Sequence, residues 1–269
     1  MPISRRPLLR PYTIMCVGED AGLIECLSNS KSVDEIKKEC PGYTSLRDYF
    51  ERAFRSRQTP LPNSGYMGMP PSYQVSQSTS VATQNEVTLE EAKENFLRSL
   101  VGYSLISYIL QIKDRHNANI LLDRTGAIVH IDFGFVLGET PKMGKVPIFN
   151  ERAPFKLTDE FWDVIGGWNL KERGMGPKFC SLFEASFSCA SAHAEEIASL
   201  VEATYLNLSR SRTHARYLGD GVRERLRMRG PPGSPAQKEF IMDLVNTALT
   251  SWGTSTYDWL QKTMNGYEM

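Results

Sequence analysis

The chain carries no net charge, because 31 Lys and Arg are offset by 31 Asp and Glu among its 269 residues. Such balance gives no bulk attraction for polyphosphate backbones, so nucleic acid is not an expected partner. Cysteine is scarce: Cys16, Cys26, Cys40, Cys180 and Cys189 are odd in number and lack paired spacing. A disulfide-stapled scaffold is therefore not expected, and a reduced, cytoplasmic setting is. Cysteine and histidine are also too scattered for a zinc site. Long apolar runs are missing as well. The longest uncharged run of mainly apolar residues, residues 99–112, is shorter than the roughly 20 residues a bilayer span needs. It is interrupted by Ser99, Gly102, Ser104 and Ser107, and is expected to be a buried helix. Met1 to Leu9 contains arginines but no apolar centre of the signal-peptide kind. Any membrane contact should be peripheral.

What is present suits one large domain, or one domain with an insertion. Pro11–Val17 reads as a short strand at a sheet edge. Ser32 with Glu35, Ser45 with Asp48 and Thr88 with Glu91 have capping-box spacing and predict helix starts. The helix from Thr88 should run to about Ile112. Thr158 is expected to cap another, with Asp159 and Glu160 against its N-terminal dipole. Helical segments are expected at about 178–208, 219–228 and 236–262. From about Arg55 to Val87 the composition turns to Ser, Pro, Gln, Gly and Thr without period. Such a stretch buries too little apolar surface to offset its ordering entropy, so an inert disordered insertion is expected.

Two motifs carry the chemistry. Asp114-Arg115-His116-Asn117-Ala118-Asn119 gathers an acid, an imidazole and amides in one loop, and His130-Ile131-Asp132-Phe133-Gly134 sets an aspartate before Phe-Gly. Between them, Ile120–Asp123 and Ala127–Ile131 flank a turn at Arg124-Thr125-Gly126, which predicts a β-hairpin. That hairpin would hold Asn119 and Asp132 at its ends, facing one cleft. An amide oxygen and a carboxylate suit Mg²⁺, which takes oxygen ligands and shares them with substrate phosphates. This is the metal-holding half of a kinase site.

The order Asp-Arg-His, where protein kinases have His-Arg-Asp, resembles the phosphatidylinositol 3-/4-kinase superfamily, most of all the type III beta phosphatidylinositol 4-kinases. The similarity runs through nearly the whole chain. Gly22-Leu23-Ile24-Glu25 resembles the hinge, and Leu110-Gln111-Ile112-Lys113 the lead into the catalytic loop. Phe133-Gly134-Phe135 and Phe155-Lys156-Leu157-Thr158 bound an activation loop of 4-kinase type, and Tyr257-Asp258 to Asn265-Gly266 resembles that subfamily's ending. The resemblance implies an α+β, mostly α fold: the C-terminal lobe of the kinase-like fold over residues 31–269, with a hairpin floor, and a remnant of the small lobe and hinge over 1–30. It implies ATP and Mg²⁺ as cofactors, with Asn119 and Asp132 on the metal. Asp114 or His116 would accept the proton of an inositol hydroxyl, while Arg115 supports the loop.

The adenine slot would use the Glu25 carbonyl and the Leu27 amide, with Tyr12 and Ile24 behind and Leu121 and Ile131 beneath. Lys142, Lys145 and Arg152 would meet the lipid headgroup. This sparse basic set suits plain phosphatidylinositol in a membrane surface better than a polyphosphorylated headgroup. A cytoplasmic protein held peripherally on intracellular, Golgi-like membranes follows, with a regulatory protein partner open. Ala118 replaces the usual Gly or Ser, and a methyl there should be tolerated.

A kinase also needs a Gly-rich cover and a phosphate-binding lysine before the hinge. No lysine precedes Lys31. The small lobe is therefore expected to be largely missing, and the chain alone to turn over little lipid. The alternatives are a phosphatidylinositol 3-kinase and a non-catalytic pseudokinase or scaffold fragment. A protein Ser/Thr kinase of the related giant group is disfavoured by Asn117-Ala118 and the C-terminal ending. The arginines from 210 to 229 could face anionic lipid, although solvated helix surface is the plainer reading.

Overall fold

The structure is a computed structural model that describes residues 6–18, 20–55, 87–139, 142–143, 146–147, 153–169, 173–209 and 211–251. The expected insertion at 55–87 falls almost wholly outside them. The fold is α+β and mostly α. Its centre is α3 (Leu89–Leu110), opened by a complete capping box between Thr88 and Glu91. Phe96, Leu97, Leu100 and Val101 on this helix are essentially inaccessible. Helix α3 closes at Gln111, whose left-handed backbone (φ 47°) turns the chain sharply toward the Asp-Arg-His loop.

Ahead of α3 come β1 (Ile14–Cys16), β2 (Gly22–Ile24) and β3 (Ser30–Ser32), then α1 (Val33–Glu39) and α2 (Leu46–Phe54). Among the described residues, strands β1 and β2 pair only with each other, and Ile14, Met15, Leu23 and Ile24 on them are exposed. Ser32 forms the capping box of α1 with Glu35. Ser45 caps α2 through the Asp48 amide.

The predicted hairpin is β4 (Ile120–Asp123) with β5 (Ile128–His130), and β3 joins it in a three-stranded sheet of order β3-β4-β5. Its register pairs Ile120 with His130 and Leu122 with Ile128. Asp123 closes the turn by accepting the Thr125 and Ala127 amides at 2.8 and 3.1 Å. Gly126 is obligatory there. Its φ is +84°, and a Cβ would lie 2.7 Å from the Ala92 carbonyl oxygen. The hairpin thus sits directly on the first turn of α3.

A two-stranded pair, β6 (Lys142–Met143) and β7 (Val146–Pro147), precedes α4 (Asp159–Val164), which Thr158 caps as expected. Helices α5 (Gly176–Ala192), α6 (Ala194–Ser209), α7 (Arg212–Arg225) and α8 (Pro235–Thr250) complete the body. The single helix expected over 178–208 is two, parted at His193. No Gly or Pro marks that break. Its cause is tertiary, since α5 packs on α3 and α8 while α6 packs on α7. Helix α7 also starts earlier than expected, at a Ser211 cap. The continuation of α8 to 262 lies outside the described residues. Among the described residues, no helix is long and apolar enough to cross a membrane.

Residues 6–12 run as a strap over α3. The Leu8 amide donates to the Arg98 carbonyl at 2.9 Å, and Arg98 Nε donates to the Arg6 carbonyl at 2.7 Å. The strap reaches the hairpin turn through Arg10 and Asp123, 3.0 Å apart.

Candidate active site

The Asp-Arg-His loop leaves α3 and enters a 3₁₀ turn over Asn117–Asn119 before β4. Arg115, Asn117 and Asn119 are buried; Lys113, Asp114 and His116 are half-buried, the last two with side chains 12% and 18% exposed. His116 Nε2 lies 3.9 Å from Asp114 Oδ2. Ala118 is exposed and needs no positive φ, so its methyl meets no backbone strain.

Arg115 is buried and organises the site. Nε donates to the Lys113 carbonyl at 2.9 Å, Nη1 to the Ile131 carbonyl at 2.6 Å, and Nη2 to the Asp132 carbonyl. The rigid fork of a guanidinium suits this divergent set of acceptors. Its plane also lies over the Phe133 ring, 5.5 Å from the centroid, and Tyr12 stacks on that ring at 6.5 Å. The supporting role expected of Arg115 is thus what the geometry gives it.

Backbone strain gathers here. Among the described residues five non-glycine residues have positive φ, and four of them, Gln111, Asp114, Asp132 and Leu137, flank or belong to this site. Strained backbone persists only where its surroundings over-determine it. Here Arg115 holds the Asp132 carbonyl, Asp132 Oδ1 accepts the Gly134 amide at 3.2 Å, and the Leu137 amide donates to the Leu110 carbonyl at 2.7 Å.

Asn119 and Asp132 do come to the same end of the hairpin, for the Ile131 amide donates to the Asn119 carbonyl at 3.1 Å. Asn119 is buried and donates through Nδ2 to the Asp114 carbonyl at 3.1 Å, which leaves Oδ1 as its acceptor. Asp132 is exposed. Among the described residues no three His, Cys, Asp or Glu cluster as a cation site, so the pair supplies two oxygen-bearing groups and no more.

Of the other expected residues, Tyr12, Leu27 and Leu121 are half-buried against the core. Ile131 is half-buried as well, whereas Ile24 is 69% exposed on β2. The Glu25 amide donates to the Thr13 carbonyl at 2.8 Å, extending the β1–β2 pairing by one residue. Neither the Glu25 carbonyl nor the Leu27 amide joins a backbone hydrogen bond among the described residues. Lys145 and Arg152 lie outside the described residues, and Lys142 is described only as backbone in β6. A cavity of about 720 Å³ opens elsewhere, beside α5, α6 and α7, and neither motif lines it.

Three further residues carry roles that no motif announced. Lys113 binds the Phe135 carbonyl through its amide at 2.8 Å, and its Nζ lies 3.4 Å from the Ala153 carbonyl oxygen. Lys156 Nζ donates to Asn117 Oδ1 at 3.0 Å in a buried contact. His130 is buried under the Tyr103 ring, centroids 4.5 Å apart. Burial, with the charges of Arg115 and Lys156, holds its imidazole well below the usual histidine range.

The sequence model of the phosphatidylinositol 3- and 4-kinases matches residues 2–208. The chain belongs to that family. It is 33% identical over 264 residues to phosphatidylinositol 4-kinase beta 2 of Arabidopsis thaliana, an alignment covering 96% of this chain and 20% of that protein. It is 33% identical over 266 residues to a phosphatidylinositol 4-kinase of Dictyostelium discoideum, covering 98% of this chain and 19% of the relative. For phosphatidylinositol 4-kinase beta of Xenopus tropicalis the identity is 32% over 265 residues, covering 98% and 28%. The chain thus spans between about a fifth and just over a quarter of the length of these curated relatives.

Four arginines at the end of α7 and just after it make contacts within the fold, while Arg212 and Arg216 on α7 are exposed. Arg223 meets Glu195, Glu202 and Asp220, and Arg225 Nε donates to the Ile109 carbonyl at 2.7 Å. Arg227 and Arg229 each lie 3.6 Å from Glu224. These contacts give Arg223 and Arg225 a structural role.

Proposed function

We propose that this chain is the catalytic part of a lipid kinase that moves the γ-phosphate of ATP to the 4-hydroxyl of phosphatidylinositol at a membrane surface. The observation that carries the reading is the Arg115 clamp, which ties the Asp-Arg-His loop to the carbonyls of Ile131 and Asp132. Phosphoryl transfer asks a protein mainly for alignment and charge neutralisation, and a clamp between these two motifs supplies alignment. The names of the relatives, phosphatidylinositol 4-kinases of plants, an amoeba and vertebrates, support the 4-hydroxyl over the 3-hydroxyl.

Asp114 is the base that takes the proton of the inositol hydroxyl. His116, 3.9 Å away, is its helper and rival. Adenine would lie between the hinge at Glu25 and Leu27 and the floor at Leu121 and Ile131, with Tyr12 at the back; Ile24 would join this slot only if covered. Asn119 Oδ1 and the Asp132 carboxylate fit Mg²⁺. Two protein oxygens suffice for an ion that keeps waters and substrate phosphates in its other positions. Bound there, the ion would neutralise charge on the ATP phosphates. Lys142, Lys145 and Arg152 are the candidate headgroup contacts. Work at an intracellular membrane surface, from the cytoplasmic side, fits this substrate.

The test is radiolabelled phosphate transfer from ATP to phosphatidylinositol vesicles by the purified protein at its full natural length, with the product isomers resolved. Phosphatidylinositol 4-phosphate is expected. The 3-phosphate would replace this reading by a 3-kinase, and no transfer at all would favour a pseudokinase.

A further inference from the structure

We propose that Lys156 is a positioning residue: its buried ammonium, bonded to Asn117 Oδ1, fastens the far end of the activation segment to the Asp-Arg-His loop and thereby sets Asp114 and His116. The inference rests on the lipid-kinase reading for its consequence, but its geometry stands apart from that reading.

Lysine is almost never fully buried, because removing an ammonium from water is costly. Lys156 is nonetheless 6% exposed, between Phe155 at 3% and Leu157 at 0%. Phe155 packs on Phe183 of α5, ring centroids 5.4 Å apart, so the backbone around Lys156 is anchored in the core. Three consecutive buried residues cannot belong to a solvated loop. The side chain between the two apolar anchors reaches across to Asn117, itself 9% exposed, at 3.0 Å.

Asn117 follows His116 directly, and His116 is the N-terminal cap position of the 3₁₀ turn. A restraint on Asn117 therefore restrains the imidazole one residue before it and the carboxylate three before. The contact also completes a pattern. Lys113 holds the segment near Phe135 and Ala153, Arg115 holds Ile131 and Asp132, and Asn117 holds Lys156. Lys113, Arg115 and Asn117 thus grip both ends of the segment that runs from Asp132 to Leu157, while Asp114 and His116 keep partial access to solvent. Misplacing a catalytic group by about 1 Å can cost on the order of 10²-fold in rate.

The experiment uses the full-length protein and four variants: Lys156→Met, Lys156→Arg, Asn117→Ala and the Lys156→Met/Asn117→Ala double. Steady-state turnover on phosphatidylinositol vesicles, thermal melting and amide hydrogen exchange over residues 114–119 are measured on each. Lys156→Met and Asn117→Ala should each lower kcat at least tenfold with the KM for ATP within twofold. The double variant should be no worse than the weaker single, because the two residues act through one contact. Lys156→Arg, which keeps a cation with donors, should recover most of the rate. Exchange over 114–119 should quicken in Lys156→Met without a matching loss of melting temperature. The inference is overturned if kcat stays within twofold of wild type, if the two singles multiply in the double, or if exchange there is unchanged. A wild-type protein that phosphorylates no lipid would sink the functional reading, and the exchange result would still decide the contact.

Discussion

Replacing Arg115 by lysine keeps the charge and discards the fork, so it isolates what the guanidinium geometry contributes. The native side chain donates to three carbonyls, those of Lys113, Ile131 and Asp132. Hydrogen bonds from a charged donor are worth about 1.5–3 kcal/mol each. A lysine ammonium has three donors on one atom, but it cannot stand at the three separate nitrogen positions. If it keeps one bond and loses two, the local cost is roughly 3–6 kcal/mol before solvent recovers part of it. Asp132 would feel the loss most, because its positive φ of 58° is unfavourable and Arg115 holds its carbonyl. That backbone conformation costs on the order of 1–3 kcal/mol and relaxes once its restraint goes. The carboxylate would then drift from Asn119. We expect Arg115→Lys to lower kcat by about 10²-fold, the scale of a 1 Å displacement of a reacting group. Hydrogen exchange should quicken at the Phe133 and Gly134 amides, and Phe133 should lose the planar guanidinium above its ring. Turnover and exchange are measured on the same preparation. A lysine variant with kcat within twofold of wild type and unaltered exchange would refute the clamp.

The choice between Asp114 and His116 is open to a direct comparison. Asp114→Asn should reduce kcat by about 10²- to 10⁴-fold, the usual range for a general base, and His116→Asn by clearly less; the reverse order would exchange their roles. Gly126→Ala should destabilise the fold by roughly 2–4 kcal/mol, combining a left-handed backbone with overpacking, since the new methyl would meet Ala92. Chemical denaturation checks this, and a midpoint unchanged from wild type would contradict the close approach of hairpin and helix. Stability should also fall on acidification below pH 6.5, the ordinary histidine value, because the unfolded His130 takes up a proton that the folded one refuses. The slope is at most about 1.4 kcal/mol per pH unit. Urea midpoints between pH 7.5 and 5.5 should fall more steeply in wild type than in His130→Asn, and equal slopes would count against a buried neutral imidazole.

The elements legible in the sequence are those set by local chemistry. Capping boxes at Ser32 and Thr88, the cap at Thr158 and the turn at Arg124–Gly126 need only a few neighbouring residues, and all appear where expected. The Asp-Arg-His and Asp-Phe-Gly motifs marked the site for the same reason, and Arg115 could be read as a support because a buried loop needs donors. What stayed hidden depends on distant partners. The break at His193 follows from α5 and α6 choosing different neighbours. Lys156 was visible only as a letter in a motif, because nothing local shows that an ammonium is buried against Asn117. Of the arginines read most plainly as solvated helix surface, Arg223 and Arg225 are instead spent on Glu195, Glu202, Asp220 and the end of α3. Exposure of Ile24 was likewise unreadable, since an apolar strand residue suggests burial wherever it stands.

The strap over α3 also sets where the β1–β2 pair joins the fold. The chain enters that pair just after Tyr12, whose neighbours are fastened to α3 and to the hairpin turn. It leaves at Leu27, which packs on the core and whose carbonyl accepts the Ser30 amide at 3.2 Å. Every described residue between these two moorings is exposed, and they pair with one another. The pair is thus tethered at Tyr12 and Leu27, and the first of these tethers is also the ring that stacks on Phe133 beside the Asp-Arg-His loop. Replacing Tyr12 would therefore loosen one end of the pair and uncover Phe133 together.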